Sequence, residues 1–146
     1  MSRNWALLTL LIFLQCSGTK ENTAIEGVYK VIDHTSYPIS ALDEKDIRKI
    51  LGATIIIRKH FVVYNGDTCR NVSIKRGMVK TNDALYEVKS AVEKRLSRHL
   101  PEKLLTNTIV CNGLTWDAPL WYFVIYDRQH IIGLRDGEVF FLDRTQ

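Results

Sequence analysis

The sequence predicts a mainly β domain, an antiparallel barrel or sandwich of about seven or eight short strands with one or two short helices. Turn dipeptides that tolerate positive φ recur at Asn65-Gly66, Asn112-Gly113 and Asp136-Gly137, each beside an apolar run, the short-range signature of a hairpin. The runs themselves are short and rich in β-branched and aromatic residues. A helical period surfaces in only two places, around Ile47 and around Val88.

The chain opens as a targeting element. Arg3 supplies a positive charge, Trp5 to Leu14 is almost unbroken apolar residues, and Gln15, Cys16, Ser17 and Gly18 are polar or small. That is the order of a secretory signal, and the apolar run is well short of the roughly twenty residues of a membrane-spanning helix. The expected division is a signal segment over 1–18, a tether over 19–25 and one β-rich domain over 26–146. Two processing routes are open. Cleavage after Gly18 discards Cys16, whereas lipidation of Cys16 anchors the mature chain to a membrane. The expected location is therefore the periplasm or cell envelope. What remains is a chain of about 128 residues, enough for one core.

Within the domain, Gly27 to Ile32 reads as the first strand. Ser40 begins a capping-box pattern, Ile47, Ile50 and Leu51 share a helix face, and Gly52 stops it. Ala53–Arg58, with three consecutive isoleucines, pairs with Phe61–Tyr64 across a turn, and Thr68–Lys75 forms another strand that Gly77–Lys80 extends. Leu85, Val88, Val92 and Leu96 make a helical stripe within Asp83–Leu100, which Pro101 ends. Thr106–Cys111, Leu120–Tyr126, His130–Leu134 and Glu138–Leu142 then read as strands, the last three as a meander. Leu120–Tyr126 is apolar on both faces, which calls for a cover on its outer side, supplied by the second helix.

With Cys16 removed or lipidated, Cys69 and Cys111 are the two thiols of the folded part. In an oxidising compartment they have one possible pairing and are expected to bond. The bridge closes a loop of about forty residues, worth on the order of 3–4 kcal/mol by the loop-entropy estimate.

Several of these marks resemble a group of small exported bacterial proteins with a lipocalin-like barrel. Gly27-Val28-Tyr29-Lys30-Val31 resembles the Gly-x-Trp opening strand, with Tyr29 in place of Trp. Ile39-Ser40-Ala41-Leu42 and Leu51-Gly52 resemble the helix that follows. Gly66 with Cys69, Cys111, and the run from Asp136 to Arg144 resemble the remaining landmarks. These are structural motifs in a group without an assigned activity, so the resemblance implies a fold and carries over no functional residue.

Motifs for chemistry are sparse. The chain has no Gly-x-Ser-x-Gly, His-Glu-x-x-His, Gly-rich phosphate loop or Cys-x-x-Cys, and Ser17-Gly18-Thr19-Lys20 matches Ser-x-x-Lys only at the export junction. His34, His60, His99 and His130 lack metal-ligand spacing, and no cofactor is expected. Asp117, Asp127, Asp136 and Asp143 are close in sequence, but Asp127 and Asp136 read as turn residues.

Aromatics are denser. Trp121, Phe123 and Ile125 alternate with Tyr122, Val124 and Tyr126, so one set points inward and the other outward. Either set can line a ligand cavity or fill a core, and Trp116, in the loop before them, is read as an exposed anchor. From Arg58 to Lys103, eleven Lys and Arg face five Asp and Glu. The absence of aromatic–basic interleaving in an exported chain argues against nucleic acid as a partner.

The function these features favour is a non-enzymatic binding module of the cell envelope that holds a small apolar or amphipathic ligand, with contacts from Trp116, Trp121, Tyr122 or Tyr126. The alternative is an inhibitor or interaction module with an envelope protein, such as a cell-wall hydrolase, as its partner.

Overall fold

Three dipeptides fold the chain back on itself. Asn65-Gly66, Asn112-Gly113 and Asp136-Gly137 all adopt positive φ at both residues (46° and 95°, 51° and 82°, 48° and 85°), which matches the right-handed twist of the strands they join. The computed structural model of the chain describes residues 25–116 and 118–145. The signal segment, Cys16 and most of the tether lie outside the described residues, as does Asp117.

Among the described residues, ten strands form one antiparallel sheet curled into a half-barrel, with three short helices. The elements are β1 (Gly27–Ser36), α1 (Glu44–Ile50), β2 (Thr54–Ile57), β3 (Phe61–Tyr64), β4 (Asp67–Arg70), β5 (Val72–Lys80), α2 (Thr81–Leu85), α3 (Lys89–Leu96), β6 (Lys103–Cys111), β7 (Leu114–Thr115), β8 (Tyr122–Ile125), β9 (His130–Arg135) and β10 (Glu138–Arg144). The strand order is β4-β3-β2-β1-β10-β9-β8-β6-β5, with β7 added on β6. No helix among the described residues is long and apolar enough to cross a membrane.

The sheet buries both of its faces. Inside the curl, Tyr29, Val31, Ile55, Ile57, Ile109, Phe123, Ile131 and Phe140 form the larger core, with Leu42, Ile47 and Leu51 around α1 packed against it. Tyr29, Phe123 and Phe140 are each at most 1% exposed, so the large side chains at the centre of this core are closely packed. Outside, Leu85, Val88 and Val92 from the α2–α3 segment cover Leu104, Val124, Ile132, Val139 and Phe141. Phe123 faces the first core and Val124 the second, as the two-faced apolar run requires.

Cys69 on β4 and Cys111 on β6 form a disulfide, with Cα atoms 5.9 Å apart. It ties the short edge strand β4 to the far end of the strand order.

Four expectations change. The strand count rises to ten, because Asn71 at φ 56° breaks the Thr68–Lys80 run into β4 and β5, and because Leu114–Thr115 adds a short strand. The first helix starts later than the Ser40 pattern implies: Asp43 is its cap, accepting from the Asp46 N–H at 2.8 Å, while the Ser40 hydroxyl accepts from Leu42 N–H. The expected helix within Asp83–Leu100 is two helices, α2 and α3, broken between Tyr86 and Val88. Leu85, Val88 and Val92 are all buried in the outer core across the break. Finally, β8 is shorter than the apolar run, since Leu120 leaves the ladder to pack in the inner core, against Gly133.

Candidate functional site

An outer cleft of about 160 Å³ opens where the end of α3 meets β1, β9 and β10. Its geometry starts with an irregularity in β1. The register of β1 on β10 passes from Val31↔Leu142 to Asp33↔Phe141, so Ile32 is an extra residue and its side chain stands partly exposed at the cleft. Asp33 then points to the outer face and takes a 2.8 Å hydrogen bond from Arg95 Nε on α3. That bond, and the neighbouring guanidinium charge, hold the Asp33 carboxyl below the usual range despite some burial.

The second wall comes from the turn between β8 and β9. The Asp127 carboxylate accepts from the N–H groups of Gln129 and His130, at 2.7 and 2.8 Å, closing the turn locally. His130 Nδ1 lies 2.8 and 2.9 Å from the two Asp127 oxygens, and its Nε2 lies 3.7 Å from Asp143 Oδ1. Burial acts to raise the Asp127 pKa, but these hydrogen bonds outweigh it and keep the group below its ordinary value. Arg98, just past the Ser97 end of α3 (φ 53°), lies over the Tyr126 ring at 4.5 Å and reaches Asp127 at 3.5 Å. Burial raises the Tyr126 phenol, with Arg98 acting against it.

The cleft therefore has an apolar floor and a charged rim. Ile32, Leu96, Tyr126 and Phe141 supply the floor; Arg95, Arg98, His130 and Asp143 supply the rim. Each guanidinium already has a carboxylate, so the rim is close to charge balance. An aspartate-held histidine is half of an acid–base pair. Among the described residues no serine, threonine or cysteine lines the cleft to act as its nucleophile. Among the described residues no group of three or more His, Cys, Asp and Glu side chains is placed to hold a metal ion.

The residues singled out from sequence scatter. Tyr126 lines the cleft and Tyr122 packs on the same outer core. Trp121 stands edge-on to Tyr122 at 5.9 Å. Trp116 is half-buried against the inner core, its N–H bonded to Ile109 O, rather than standing free as an anchor. Cys69 and Cys111 are bonded to each other. Sequence reasoning missed Ile32, Arg95 and Arg98 as cleft residues and found for His130 only that it lacks metal-ligand spacing. The one local signal for the last was Asp127 three residues before His130, across a turn. No protein-family model matches the chain, and neither a curated protein nor a solved structure matches it.

Proposed function

We propose that the protein is an exported, non-enzymatic binding module with a lipocalin-like barrel, which holds one end of a small amphipathic ligand in the outer cleft. The observation that carries this reading is the pairing of an apolar floor at Ile32, Leu96 and Phe141 with the hydrogen-bonding rim of Arg95, Arg98 and His130. The close burial of Tyr29, Phe123 and Phe140 inside the curl favours a ligand on the outside over one in a barrel lumen. The cleft is smaller than the roughly 300–1,000 Å³ of sites that enclose a drug-sized molecule, so it takes a ligand's end and not its whole length. A rim near charge balance selects a ligand of little net charge, since a strongly ionic group would displace an existing pair. A disulfide in the fold agrees with the export that the opening segment implies.

Native mass spectrometry of the mature protein, purified gently from its own envelope, tests the proposal. A small-molecule adduct that leaves on denaturation, and is absent in an Ile32→Glu variant of unchanged fold, is the expected result. The bare chain alone, or an adduct indifferent to Ile32, would sink it.

A further inference from the structure

Among the described residues, the strand β5 is bonded on one side only. It pairs with β6 along its whole length, from Val72↔Cys111 to Lys80↔Lys103, and is the last strand of the sheet. Ile109 on β6 spends both its N–H and its C=O on the other side, toward Trp121 and Trp116. Its partner Ile74 is therefore in a non-hydrogen-bonded pair, and its own N–H and C=O point away from β6. By alternation, Arg76, Met78 and Lys80 present their backbone groups along the same free edge. The bond from Thr81 N–H to Glu102 O agrees with that phase.

The side chains of those residues share one face. Val72 and Ile74 pack inward while Val79 packs outward, so Arg76, Met78 and Lys80 continue the inner face beyond the inner core. All three are exposed, Met78 to 63%. From Thr68 to Lys80 there is no acidic residue. Arg70, Lys75, Arg76, Lys80 and the facing Lys103 are exposed and make no ion pair among the described residues.

We propose that the free edge of β5 is a docking site for an extended segment of another protein that carries acidic, apolar and acidic side chains at every second residue. Such a segment adds as an eleventh strand, with backbone bonds supplying affinity. Its two carboxylates lie opposite Arg76 and Lys80, and its apolar residue lies opposite Met78. A second copy does not fit this edge: laid antiparallel about Met78, it sets Arg76 against Lys80 twice. The same cations that deter self-association select an acidic partner.

The test uses the mature protein and a labelled peptide, Thr-Glu-Thr-Leu-Thr-Glu-Thr, against its counterpart with Lys in place of Glu. The acidic peptide is expected to bind at least tenfold tighter, to weaken as salt rises, and to slow amide exchange at Ile74, Arg76 and Met78. Met78→Pro removes only an outward N–H, leaves the β5–β6 bonds intact, and is expected to abolish binding. Arg76→Glu with Lys80→Glu reverses the preference between the two peptides, which keeps the test open should the proline variant misfold. Equal binding of both peptides, no binding, unchanged amide exchange, or a β5-mediated dimer in sedimentation would overturn the proposal.

Discussion

His34 and Glu138 are diagonal neighbours across the β1–β10 pair, with His34 Nδ1 at 3.0 Å from Glu138 Oε2, and the glutamate is only 1% exposed. The Ser36 hydroxyl donates to the same oxygen at 2.9 Å, while Oε1 has no partner. A buried carboxylate held this way is expensive to orphan.

Glu138→Ala is expected to cost about 2–3 kcal/mol, the scale of hydrogen bonds to a charged group. Urea unfolding at neutral pH measures it. Burial acts to raise the Glu138 pKa, but the hydrogen bonds it makes with His34 and Ser36 outweigh it and the net shift is downward. The folded value lies below the unfolded one, so the stabilisation is complete above the ordinary glutamate range. It is lost as pH falls through that range toward the folded value. Glu138→Gln flattens this acid limb, and an unchanged limb would assign it to other carboxylates.

Breaking the disulfide removes a constraint between strands far apart in the sheet order. Replacing Cys69 and Cys111 by Ala should lower stability by about 3–4 kcal/mol. Wild type unfolded in excess reductant should give the same midpoint as the double variant in either condition.

Gly137 combines two demands. Its φ is +85°, and a Cβ there would collide with the Ile39 carbonyl oxygen. The segment it touches is held by bonds from Tyr37 N–H to Gly137 O and from Ala41 N–H to Asp136 O. Gly66 has φ +95° with nothing within 4 Å, so it carries the backbone demand alone. Gly66→Ala should cost about 1 kcal/mol and Gly137→Ala about 2–3 kcal/mol. Thermal unfolding of the two variants isolates the contact as the difference.

Val92 is fully buried between α3 and the outer face. Val92→Ala should cost about 2 kcal/mol and loosen α2 and α3 locally. Hydrogen exchange is expected to rise in Thr81–Leu96 and to stay unchanged in Thr54–Tyr64.

The turns, the two-faced strand and the cysteine pair were legible because each is a local pattern. Asn-Gly declares a turn within two residues, and Leu120–Tyr126 declares burial on both faces by composition. The cleft was not legible, because its parts come from four elements and depend on a bulge at Ile32 that no residue type announces. The β1–β10 pairing joins residues more than a hundred positions apart, and only that register sets Asp33 beside Arg95. The break at Tyr86–Val88 was hidden because the stripe keeps a good helical period straight through it.

The strand order has a consequence for how the chain can be cut. Thr145 N–H bonds to Val28 O at 2.8 Å, so the ends of the described domain are neighbours in the middle of the sheet. The two outermost strands, β4 and β5, are joined by Asn71 alone. A circular permutant that links Thr145 to Gly27 and opens at Asn71 would run β5, β6, β8, β9, β10, β1, β2, β3, β4. Apart from the appended β7, every strand would then pair with its neighbour in sequence, and the domain would become an uninterrupted up-and-down ribbon whose new ends are held together by Cys69 and Cys111.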